Sequence, residues 1–69
     1  MANFTPRRKL VRMSQHKLAK AAGVSRITIA LAELGQGTLT PNEVTRIDRA
    51  LRAEARRIRQ ALEAEAQVV

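Results

Sequence analysis

The chain has 69 residues, with thirteen Lys and Arg against six Asp and Glu, for a net charge of +7. It has no Cys, one His and a single aromatic residue, Phe4. A chain of this length is one domain at most and buries only about 60% of the surface its unfolded form exposes, so it cannot enclose a lidded active site.

Composition narrows the class further. Without Cys, disulfide frameworks and thiolate zinc sites are excluded, and His16 alone makes no ligand cluster, so no metal and no cofactor is expected. A Ser-His-acid set that so short a chain could position and a phosphate-cradling glycine loop are both missing, so an enzyme is not expected. No apolar run approaches the ~18–20 residues of a membrane span, and no signal-peptide pattern opens the chain. The expectation is a small, basic, cytoplasmic protein. Ala, Arg and Leu dominate, and Val, Ile and Thr do not alternate in runs, which favours helices over strands.

The first helix is expected from about Pro6 to Arg12, with Thr5 as its cap and Pro6 in the first turn, where a missing N–H costs nothing. It is strongly basic. Ser14 is the next cap, and Gln15 to Ala22 place Leu18, Ala19 and Ala22 on one face. Gly23 stops this second helix, since glycine enters the left-handed region without a Cβ penalty. Ser25 then caps a third helix, from about Arg26 to Leu34, with Ile29 and Ala32 inward and Gly35 as its stop.

The clearest start is Thr40-Pro41-Asn42-Glu43, which has a capping Thr, a first-turn Pro and a Glu three residues after the cap. From there to the C-terminus no Gly or Pro interrupts. Val44, Ile47, Leu51, Ala55, Ile58 and Leu62 step by three or four residues and form a continuous apolar stripe. The fourth helix therefore runs either unbroken from about Pro41 to Ala66 or with a break near Leu51 to Ala53.

Charge is uneven along the chain. Residues 1–23 hold six cations and no acid, a basic concentration that points to a polyanion, most often nucleic acid. Arg7, Lys9, Arg12 and Lys17 are the expected contacts to the phosphate backbone. Two short helices joined by a glycine turn have the form of a helix-turn-helix, which presents the leading end of its second helix to a major groove. Arg26 supplies the one strong base reader, because its planar fork matches O6 and N7 of guanine. Ile27, Thr28 and Leu31 are able to pack on thymine methyl groups.

From Met13 to Leu51 the chain resembles the lambda-repressor and Cro-like helix-turn-helix family, also called XRE-type. The resemblance is carried by Met13-Ser14-Gln15, Leu18-Ala19, Gly23-Val24-Ser25, Thr28-Ile29, Glu33 and Gly35, followed without insertion by a capped fourth helix ending in Ala50-Leu51. It implies an all-α fold, a small four- to five-helix lambda-repressor-like domain, here with a long C-terminal helix. It implies that Ser14 and Gln15 contact phosphate or a base edge, and that Ser25, Arg26, Ile27 and Thr28 lead the recognition helix, with Leu31 one turn on. Gln36, Thr38 and Asn42 would lie near the DNA backbone. Arg8 and Glu33 match a pair that the family often uses as a salt bridge.

The expected organisation is a helix-turn-helix domain over residues 1–51 and a helical extension over residues 52–69 that serves dimerisation. The stripe Leu51, Ala55, Ile58 and Leu62 is the candidate seam. The expected function is a sequence-specific transcriptional regulator, a repressor that binds a palindromic operator in double-stranded DNA as a homodimer. The alternative is a protein-binding module on the same fold, an antiactivator or antitoxin-like partner that masks another protein through Ile27, Leu31 and the long helix.

Overall fold

A computed structural model describes residues 4–68, with side chains through residue 66. Four helices follow in order: α1 (Thr5–Leu10), α2 (Gln15–Ala22), α3 (Arg26–Glu33) and α4 (Pro41–Val68). No strand is present among the described residues, and none of their helices is long and apolar enough to cross a membrane.

Local chemistry accounts for most of the boundaries. Ser14 sits in extended backbone, and its hydroxyl accepts from the Lys17 amide at 3.0 Å. Ser25 does the same for the Thr28 amide at 3.0 Å. At the head of α4 the cap is reciprocal: the Glu43 amide donates to Thr40 Oγ1 at 3.1 Å and the Thr40 amide donates to Glu43 Oε1 at 2.9 Å. Each of the first three helices ends in the same backbone device, in which an amide just past the terminus reaches back five residues. These bonds are Met13 to Arg8 O, Val24 to Ala19 O, and Gln36 to Leu31 O. This closure needs one left-handed residue. Gly23 (φ 71°) and Gly35 (φ 75°) supply it for α2 and α3, but α1 uses Arg12 at φ 58°.

That geometry corrects the expected first helix. It ends at Leu10 rather than Arg12, because Arg12 has left the helical region to close the turn. Its start differs too. Phe4 occupies the cap position, no side chain caps the helix, and the buried Thr5 hydroxyl has no hydrogen-bond partner. The third helix ends at Glu33, with Leu34 as the residue that turns the chain.

The core is made by Phe4, Met13, Leu18, Ala19, Ala22, Ile29, Ala32, Ile47 and Leu51, with Val11, Val24, Leu39 and Ala50 packed against it. α2 is the central element and packs against both α3 and α4. Of the two alternatives for the fourth helix, the unbroken one holds. Its 28 residues span about 42 Å at 1.5 Å per residue, which sets the 47 Å long axis of the molecule. The boundary expected after Leu51 falls inside this helix.

Only part of the α4 stripe is covered by the body. Ile47 and Leu51 are each 2% exposed, and Glu54 is buried beside them. Ile58 is half-buried, and residues 59–66 are exposed on every face. Leu51 is therefore a core residue, and the expectation that it lines a dimer seam is corrected: its side chain is already spent on the domain's own interior. Ala55, Ile58 and Leu62 remain available.

Candidate nucleic-acid interface

The interface is built from the leading ends of α2 and α3. Neither helix has an acid in its first turn, so the free amide groups and the positive end of each helix dipole are uncompensated. Ile29 and Ala32 anchor the inner face of α3 in the core. The opposite face therefore turns outward, with Arg26, Ile27 and Leu31 on it; Ile27 is 67% and Leu31 39% exposed. No ion pair among the described residues engages Arg26. It lines a shallow groove with His16, Ala19, Lys20 and Val24. The i, i+4 spacing of His16 and Lys20 puts both on one face of α2, and that face borders the start of α3.

Leu31 is held from behind. A Cβ placed on Gly37 would lie 3.2 Å from the Leu31 Cβ, so the loop after α3 runs close against it and a side chain there would require Leu31 to give by a few tenths of an ångström. Gln36, Thr38 and Asn42 are exposed along that loop and the first turn of α4.

The polar residues expected at this edge divide into free and committed groups. Ser25 Oγ and Thr28 Oγ1 share a hydrogen bond at 2.7 Å in addition to the cap bond, which holds both hydroxyls at the head of α3 and leaves one O–H hydrogen of the pair free to donate. The Ser14 hydroxyl is likewise engaged as a cap. Gln15 is half-buried, and its Nε2 donates to Glu33 Oε1 at 2.8 Å, at the far end of α3. Glu33 also receives a two-pronged contact from Arg8, Nε to Oε2 at 2.7 Å and Nη2 to Oε1 at 3.0 Å, and Arg8 Nη1 donates to the Met13 carbonyl at 2.8 Å. The anticipated Arg8–Glu33 pair thus ties α1, the turn before α2, and α3 into one unit. Burial alone pushes the Glu33 carboxyl up, but the bonds from Arg8 and Gln15 and the charge of Arg8 together hold it below the usual range.

The phosphate candidates divide in the same way. Arg7 is paired with Asp48 at 2.9 Å and Lys17 with Glu54 at 2.9 Å. Lys9 and Arg12 are exposed, and no ion pair among the described residues engages them. Arg12 stands two residues before the α2 cap, beside the uncompensated helix start.

Glu54 escaped sequence reading. It completes the covered stripe, since Ile47, Leu51, Glu54 and Ile58 step by four, three and four. Arg57 donates to it from Nε at 2.8 Å and from Nη2 at 3.1 Å, and Lys17 from Nζ at 2.9 Å. These bonds from Arg57 and Lys17 hold its carboxyl down at about 2.

A family model described as helix-turn-helix matches residues 7–62. No curated protein and no solved structure matches the chain.

Proposed function

Because the chain belongs to the helix-turn-helix family of the lambda-repressor and Cro-like type, we propose that it is a sequence-specific repressor that binds a palindromic operator as a homodimer. The observation that carries this reading is the outward face of α3. An arginine that no ion pair among the described residues engages stands at its leading end beside exposed Ile27 and Leu31, while its inner face is locked in the core. Arg26 reads a guanine edge, the helix starts and the free cations Lys9 and Arg12 take phosphates, and Gln36, Thr38 and Asn42 lie along the flanking backbone. Regulation then follows from occupancy of a promoter, which excludes polymerase.

One α3 with one strong base reader discriminates weakly, and pairing two copies on half-sites about 10 base pairs apart doubles the contacts. The surface that supports pairing is the uncovered part of the α4 stripe, Ala55, Ile58 and Leu62.

A gel shift against the protein's own upstream region at two salt concentrations tests the reading. The expected result is selective, salt-sensitive binding. Arg26→Ala should cost roughly 1–3 kcal/mol on the selected site and relax its specificity; equal loss on random duplex would contradict the assignment. A second reading, a module that masks another protein, draws on Ile27, Leu31 and Leu34, which are all exposed and apolar along one side of α3. Its mark is a co-purifying protein with no duplex retained even at low salt.

A further inference from the structure

We propose that α3 recognises thymine by its C5-methyl group and little else, so that each half-site is a guanine beside thymines and 5-methylcytosine is accepted where thymine is read. The inference rests on the DNA-binding reading above and names the chemistry that its recognition face selects.

Every polar side chain of α3 and its cap was followed to its partner. Ser25 and Thr28 bond each other at 2.7 Å, and Ser25 also holds the Thr28 amide at 3.0 Å. Glu33 is closed by Arg8 and Gln15. Gln15, the amide side chain best suited to an adenine edge, is bonded at the opposite end of α3 from Arg26. Beside the one O–H hydrogen that Ser25 and Thr28 leave free, Arg26, engaged by no ion pair among the described residues, is the polar group of this face with the longest reach, and it matches guanine. His16 and Lys20 flank it from α2.

The rest of the outward face is hydrocarbon. Ile27 and Leu31 lie four residues apart, one helical turn, and both are exposed. In the major groove only thymine offers an apolar group to such side chains. Their contact responds to a methyl on C5 of a pyrimidine and is indifferent to the donor or acceptor beside it. The close approach of Gly37 steadies Leu31 in that position.

Three duplexes built on the operator selected from a random library decide the matter, with the intact chain throughout. Replacing each thymine in turn by deoxyuridine removes only the methyl. At one or two positions per half-site the affinity should fall roughly fourfold for each contacted methyl, from the ~0.8 kcal/mol of one buried carbon. At those positions cytosine should bind weakly and 5-methylcytosine should recover about the same factor. Ile27→Ala, an exposed substitution that leaves the core intact, should make one of these positions insensitive to the methyl. Equal affinity for thymine and uracil operators would overturn methyl readout while leaving sequence-specific binding in place. Failure to retain any duplex at low salt would remove the DNA-binding reading itself, and this inference with it.

Discussion

The two halves of α4 have the same periodicity and opposite surroundings. From Ile47 to Glu54 the stripe is covered: Ile47 and Leu51 close the core and Glu54 is clasped by Lys17 and Arg57. From Ala55 to Ala66 the stripe continues in register, yet only Ile58 is partly covered and Leu62 is 62% exposed. A step of three and four therefore reports which side of a helix is apolar, not what lies against it. The covered half packs against α2, which in turn holds α3. The uncovered half is helical beyond the reach of its own domain, and helices without tertiary packing are marginal in water, which is a physical reason for it to take a partner.

The largest effect should separate these halves directly. Leu51→Ala removes a side chain from a closed core and should lower stability by about 2–5 kcal/mol in urea unfolding, whereas Leu62→Ala should change it by less than about 0.5 kcal/mol at high dilution. Comparable losses at the two sites would mean that the halves are not energetically distinct.

Acid should act on the covered half next. Glu33 and Glu54 both titrate below their ordinary value of 4.5 in the folded state, Glu54 at about 2. A depressed carboxylate stabilises the fold above its unfolded pKa, and the contribution is lost as pH falls through the folded one. Stability should therefore decline from about pH 5 toward pH 2. Glu54→Gln should flatten that decline in thermal melts taken across the range; an unchanged profile would show that the clasp does not couple to folding.

A smaller effect is expected at Arg12, where stability and binding should part company. Its φ of 58° suits glycine, as at Gly23 and Gly35. Arg12→Gly should raise stability by about 1 kcal/mol and flatten the salt dependence of DNA binding by about one unit of slope. Salt titrations of the variant that match the unaltered protein would take Arg12 out of the DNA footprint.

Much of this architecture was legible in the residues because it is locally determined. Ser14, Ser25 and the Thr40–Glu43 box cap their helices as their side chains allow, and Gly23 and Gly35 close them. What escaped was decided by contacts distant in the chain. Arg12 does a glycine's work without a glycine's signature. Leu51 and Leu62 look alike until α2 is seen to cover only one of them. Glu54 reads as a solvated charge until Lys17, 37 residues away, reaches it. The Gln15 bond to Glu33, 18 residues away at 2.8 Å, has no local signature either. The family pattern, by contrast, anticipated the Arg8–Glu33 bond across 25 residues.

The absence of any break between Pro41 and Val68 turns α4 into a ruler with a fixed phase. One residue inserted beyond Glu54 would advance the tip by only about 1.5 Å but swing it through about 100°. Seven would carry it some 10 Å outward and return it almost to its original bearing. Whatever the tip holds is thus aimed, relative to the outward face of α3, by the number of residues between them.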